Sequence, residues 1–254
     1  MSEIAAIGID LGGTRIKGIL LRDNAIEESI YKPTGAGDNF KNSILDTVNE
    51  LRIKSGASNV VVGISAPGIP DSENKSIAVM PGRLPGLENF IWSDFLKVPA
   101  FVLNDAVCAL VAEARLGAAR GLNHVVMLTL GTGVGGAMLI YGSPYQGAFN
   151  KAGHWGHTSV DSEGFADVTA MPGSIEEAIG NVSIERRSLG QFKSTQELLD
   201  AVLDNLEKDH EFLTRGGVFA PDLIETWIEW KRKSEVDYVR LRPHPAEFEL
   251  YFDI

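Results

Sequence analysis

A two-lobed α/β fold is predicted by three features of the chain. A strand, a glycine turn and a second strand stand near the N-terminus in "IAAIGIDLGGTRIKGILL" and recur over 124–142 in "HVVMLTLGTGVGGAMLIYG". Amphipathic or helix-forming stretches follow the early strands, the mark of mixed α/β architecture. The 254 residues suffice to bury one large core or two smaller ones. The recurrence of strand, glycine turn and strand predicts two related halves, lobes 1–117 and 118–254 with a hinge near Gly117–Gly121.

Each element has its own local cause. The apolar runs 4–9 and 16–21 flank a Gly-Gly turn and read as a hairpin, followed by strands at 26–31 and 59–64. Between them Phe40, Ile44, Val48 and Leu51 fall at helical spacing, and Gly56 stops the helix. "VPAFVLND" reads as a strand as far as Leu103, and "AVCALVAEARLGAARG" as a helix ended by glycines. A polar helix is predicted over "STQELLDAVLDNLEKDHEF", with Ser194 or Thr195 as cap and Glu197 nearby. The tail combines a helix around "DLIETWIEWKRK" with strand-like "VDYVRLRP" and "EFELYFDI".

Composition narrows the function classes. Hydrophobic residues make up 44% and charged residues 22%, as in ordinary globular proteins. No apolar run reaches the roughly 20 residues of a membrane span, and the N-terminus lacks the basic flank of a signal peptide, so a cytoplasmic protein without membrane partner is expected. A net charge of −11 disfavours nucleic acid as partner, because like charges repel. The lone Cys108 excludes an internal disulfide and any zinc site built on several thiolates.

Three motifs suggest chemistry, each with a plainer rival. "IDLGGT" places Asp10 at a strand end before Gly12, Gly13 and Thr14; glycines let backbone amides approach an anion, and Asp10 could hold a hydrated magnesium ion. A plain hairpin turn explains one such pair, but the second loop, with Gly131, Thr132 and Gly133, favours a clamp on a polyphosphate. Neither loop has the Walker pattern or the helix that a dinucleotide fold requires. Third, Asn104 and Asp105 close a strand and open a helix: either is a common N-cap, yet an aspartate there could also accept a proton from a substrate hydroxyl.

The order "IDLGGT", "SAPGIP", "LNDA", "LGTGVGG", "AGHWGH" and "GSIEEAIGN" resembles the ROK family, sugar kinases and repressors of the actin-like ATPase superfamily, from residue 4 to about 190. The resemblance implies the ribonuclease H-like, two-lobed actin-like ATPase fold. It also implies an ATP-dependent carbohydrate kinase with magnesium, in which Asp105 is the general base and the two glycine loops bind phosphate. Gly68, Asn104, His154, His157 and Glu176 then hold the sugar, whose many hydroxyls call for a row of fixed donors and acceptors.

Departures from the family pattern carry equal weight. Zinc-containing members pair the histidine matched by His157 with a Cys-x-Cys-Gly-x-x-Gly-Cys run, whereas "FADVTAMPGSIEE" has no cysteine, so no structural zinc is expected. His154 stands where sugar kinases of the family carry glutamate, and reads either as an altered hydroxyl contact or as a packed side chain. A His-x-x-His metal pair fits the spacing but lacks an evident third ligand. Lys17 reads as a solvated strand residue, Arg186 and Arg187 as a surface pair, and Trp155, Trp227 and Trp230 as packing.

Beyond about residue 209 the resemblance weakens. Arg215-Gly216-Gly217 resembles the adenine-side glycine motif with its first glycine replaced, and the elements around it are missing, which predicts an abbreviated C-terminal lobe. Such a lobe leaves core surface uncovered and predicts a homodimer. The competing function is a sugar-sensing or regulatory protein with weak ATP use. A DNA-reading repressor is disfavoured, since the first strand begins at residue 4.

Overall fold

A computed structural model describes residues 4–22, 25–80, 84–131, 133–217 and 219–236. The chain separates into two compact units that are interleaved in sequence rather than cut once near residue 117. The first takes in Met1–Ala112, Asn123–Met127 and Ala137–Gly153; the second takes in Glu113–Leu122, Leu128–Gly136 and His154–Ile254.

In the first unit β1 (Ile4–Leu11), β2 (Arg15–Arg22) and β3 (Ala25–Pro33) form an antiparallel meander. Helix α1 (Phe40–Ser55) returns the chain to β4 (Asn59–Ala66), which pairs parallel to β1. The short antiparallel pair β5 (Ile69–Pro70) and β6 (Ile77–Val79) follows, then α2 (Trp92–Leu96) and β7 (Ala100–Asn104), parallel to β4. The resulting sheet order is β3-β2-β1-β4-β7.

Burial follows sequence periodicity. Alternate residues Val60, Val62, Ile64 and Ala66 of β4 face the core, as do Ile7, Ile9 and Leu11 of β1, and helix α1 contributes Phe40, Ile44, Val48 and Leu51. Burying such side chains stabilises the fold by about 1.5–3 kcal/mol each. Gly18 lets α1 approach β2: a Cβ there would lie 2.3 Å from Thr47 Cγ2. Left-handed Gly56 (φ 60°) ends α1, donating to the Ile53 carbonyl as expected. The rings of Phe40, Phe90, Trp92 and Phe95 meet mostly edge to face, an arrangement that the pattern of apolar residues did not reveal.

Helix α3 (Asp105–Leu116) leads to β8 (Val125–Leu130), β9 (Val134–Ile140) and β10 (Ser143–Pro144), a small sheet of order β10-β9-β8. The alternation of β8 leaves Val126, Leu128 and Leu130 exposed on one face. A 3-10 turn, Trp155–His157, then precedes α4 (Ile175–Ile179) and α5 (Ile184–Arg187).

The predicted polar helix divides into α6 (Thr195–Lys208) and α7 (Glu211–Thr214), and α8 (Pro221–Lys231) follows. Ser194 is the cap: its hydroxyl accepts from the Glu197 amide, while Glu197 Oε2 accepts from the Lys193 amide. Leu203 of α6 and Ile224 and Ile228 of α8 are buried, and Arg232 pairs with Asp204 and Glu207. The strand-like segments expected in the tail lie outside the described residues, apart from Val236, which closes a π-helical turn.

Candidate active site

The carboxyl ends of three adjacent parallel strands gather the first group of candidate residues. Register places Asp10 of β1 opposite Ser65 of β4, and Ala66 opposite Asn104 of β7. In open α/β sheets such strand ends are the usual place for ligands. Ser65 Oγ donates to Asp10 Oδ1 at 3.0 Å.

The turn after β1 is tied down by its backbone. The Gly12 amide donates to the Arg15 carbonyl at 3.0 Å, and buried Thr34 donates its hydroxyl to the Gly12 carbonyl at 2.7 Å. A Cβ on Gly12 would lie 2.8 Å from the Arg15 oxygen, so the turn requires glycine there. Gly13 and Thr14 are exposed at its tip.

Asn104 takes the capping role at α3. Its Oδ1 accepts from the Ala106 and Val107 amides at 3.0 and 3.4 Å, and its Nδ2 donates to the Gly68 carbonyl at 3.0 Å. Asp105 is therefore not needed as cap, although its Oδ1 also receives the Ala106 amide at 2.9 Å, and the residue is exposed. Gly68 has φ 104°, and a Cβ there would meet Ile77, Val79 and Met80 at 2.7–2.8 Å.

Cys108, one turn into α3, neighbours this group. Burial pushes its thiol up to about 12, with the Asp105 and Asp10 charges adding to the rise against a Ser65 hydrogen bond. The thiol is thus an un-ionised neighbour of two carboxylates, not a nucleophile.

The second unit gathers the remaining candidates. Gly131 donates to the Gly133 carbonyl at 3.0 Å, closing the second glycine turn; Thr132 lies outside the described residues. Glu176 Oε2 accepts the Val134 amide at 3.0 Å, and a Cβ on Gly133 would lie 2.1 Å from that oxygen, so glycine is required for the carboxylate to reach the turn. The Asn181 amide donates to the Gly131 carbonyl at 3.1 Å. The 3-10 turn packs on the same strand: a Cβ on Gly156 would lie 1.9 Å from the Val134 carbonyl oxygen. Thus Gly131, Gly133, Glu176 and the histidine turn form one cluster around the start of β9.

Within that cluster the rings of His154 and His157 lie nearly parallel, 6.5 Å apart. His157 Nδ1 stands 2.8 Å from Asp167 Oδ2. Asp167, which the sequence did not single out, is buried, and its Oδ1 accepts from the Thr169 amide, the Thr169 hydroxyl and the Met171 amide at 2.8, 2.7 and 3.0 Å. Burial alone would raise its pKa, but the Thr169 and His157 side chains and the Met171 and Thr169 amides outweigh it and hold the carboxyl well below the usual range. Ser174 caps α4, its hydroxyl accepting from the Glu177 amide at 3.3 Å. Among the described residues no three His, Cys, Asp or Glu side chains group to hold a metal ion.

The remaining candidates have local roles. Gly216 and Gly217 form a 3-10 turn with φ of 81° and 69° ahead of α8. Lys17 and Arg15 lie over the Tyr31 ring. Arg186 pairs with Glu177 and stacks on Phe165 at 4.1 Å, while Arg187 donates to Ser183 and the Gly180 carbonyl, so both brace α4 and α5. Ser65 and Thr34 were also missed; a serine inside a strand and a threonine just after another carry no signal until the fold brings their hydroxyls to Asp10 and Gly12.

Comparison with known proteins assigns this mixed α/β architecture to a known family. Residues 6–226 match the ROK family, and the chain belongs to that family. An uncharacterized protein of Clostridium perfringens is 30% identical over 207 residues, covering 78% of this chain and 67% of that protein. The ROK hexokinase of Thermus thermophilus superposes with a TM-score of 0.66 at 26% identity, over 77% of this chain and 68% of that one. The ROK glucokinase of Streptomyces griseus, solved with glucose and AMPPNP, gives 0.65 at 24% identity over 98% and 80%. The fold is that of actin-like ATPases, spanning part of the length of these relatives.

A second similarity is short. The glutamine synthetase of Streptomyces coelicolor is 66% identical over 56 residues, 22% of this chain, and the chain spans only 12% of that enzyme.

Proposed function

We propose that the protein transfers the γ-phosphoryl group of ATP to a hydroxyl of a hexose or hexose-like sugar, with Asp105 as general base. One observation carries the reading: Asn104 caps α3, which leaves the Asp105 carboxylate exposed in the helix's first turn, at the strand-end edge that also bears Asp10. Membership of a family whose structurally similar members include a hexokinase supports it.

In this reading the Asp105 carboxylate takes the proton of the attacking hydroxyl, an assistance worth about 10²–10⁴-fold. Gly68, Asn104, His154, His157 and Glu176 orient the sugar, and the turns at Gly12–Gly13 and Gly131–Gly133, closed by the Gly12 and Gly131 amides, bring backbone up to the phosphates, with the Gly13 and Gly133 N–H groups as donors to the negative charge. Thr14 and Thr132 add hydroxyl donors. The donor chemistry fits magnesium: Asp10 is a hard oxygen ligand, and a single carboxylate with waters and phosphates is that ion's usual environment. Bound magnesium would screen the phosphate charge.

Release of ADP across a panel of sugars tests the proposal. With the accepted sugar, Asp105→Asn should lower kcat by about 10²–10⁴-fold while leaving Tm within a degree or two of the parent, since Asn104 keeps the cap. Turnover at the parent rate in this variant would refute the assignment of Asp105.

A further inference from the structure

We infer that Asp167 is a positioning residue: it holds His157 as the Nδ1–H tautomer, so that Nε2 accepts a hydrogen bond from a hydroxyl of the bound sugar. The inference rests on the sugar-kinase reading for the identity of the ligand, but the proton on Nδ1 follows from geometry alone. A carboxylate can only accept, so the 2.8 Å contact between His157 Nδ1 and Asp167 Oδ2 requires a proton on Nδ1.

Asp167 is itself held so that it cannot swing away. Its other oxygen is saturated by three donors from Thr169 and Met171, its amide donates to the Met171 carbonyl at 2.9 Å, and its carbonyl accepts the Ala170 amide at 2.9 Å. The carboxylate has no exposed surface, whereas His157 keeps 28% of its side-chain surface open. One end of the dyad is therefore anchored inside the protein and the other is accessible to a ligand.

The segment around Asp167 is braced independently. Ala166 bridges to Pro172, Ser159 to Ser174, and Arg186 covers the Phe165 ring. The backbone of His157 is fixed by its bond to the His154 carbonyl and by the contact of Gly156 with Val134. The same β9 start receives Glu176, so the tautomer is set on the element that carries a second expected sugar contact.

A hydroxyl that donates to Nε2 is then a specificity determinant. A sugar lacking that hydroxyl leaves the imidazole nitrogen unpaired, and the site discriminates against it.

Nitrogen-15 NMR of imidazole-labelled protein at pH 8 reads the tautomer directly. The parent should show a protonated Nδ1 and an unprotonated Nε2 for His157; the opposite tautomer would overturn the inference. Asp167→Ala should release His157 to the tautomer mixture of free imidazole and raise the KM for sugar about tenfold, with kcat changed less than about threefold. Should Asp167→Ala fail to fold, Asp167→Asn, which keeps the shape, takes its place. An unchanged tautomer and KM in a folded variant sinks the positioning role. If the parent turns over no sugar, the kinase reading falls, and the NMR result still decides whether Asp167 sets His157.

Discussion

At the level of single residues the neighbours decide the chemistry. Burial in the fold, with the charges of Asp105 and Asp10 adding to it, keeps the Cys108 thiol protonated, with its pKa about 12. Because only the thiolate is nucleophilic, roughly one molecule in 10⁴ is reactive at pH 8. Alkylation by iodoacetamide at that pH should be slower than for the denatured chain by several orders of magnitude, and should accelerate as pH rises toward 12. Rapid labelling of the folded protein would contradict the buried environment. Asn104 and Asp105 make the same point. Either could have capped α3, and only the coordinates assign the cap to Asn104 and leave Asp105 exposed.

At the level of elements, close approaches between backbones fix the second cluster. The 3-10 turn Trp155–His157 lies so near β9 that Gly156 has no room for a side chain. Gly156→Ala should therefore cost about 3 kcal/mol, as overpacking of a tight contact does, lowering Tm by roughly 10 °C. Gly63→Ala is the control, because a Cβ there meets nothing within 4 Å and the glycine is strand-interior. Equal melting of the two variants would argue against the contact. The main elements were legible from periodicity and glycine stops: β1, β2, β4, α1, α3 and α6 all fall close to their predicted ranges. The short β5, β6 and α2 were not, because two to five residues carry no periodicity.

At the level of the whole molecule, unsatisfied apolar surface predicts association. Val126, Leu128 and Leu130 stand 67%, 49% and 62% exposed along one face of β8, a row that water solvates poorly. Small-angle scattering should show a mass that rises with concentration toward twice that of one chain, and Leu128→Lys should suppress the rise. A monomer mass at every concentration would dismiss this expectation. The chain carries two similarities, a long one to ROK proteins over residues 6–226 and a short one of 56 residues to glutamine synthetases.

The sequence by itself determined the α/β class, the two glycine turns, the Asn-Asp pair and the family, because each depends on residues close together in the chain: alternation, turn chemistry and motif order. Only the tertiary structure decided that Ser65 bonds Asp10, that Glu176 reaches the second glycine turn, and that a buried aspartate ten residues away holds His157. Those pairings depend on strand register and loop closure. Register is set by packing across the whole sheet, and a loop's closure by bonds to its far side, so neither leaves a mark at any one position of the chain.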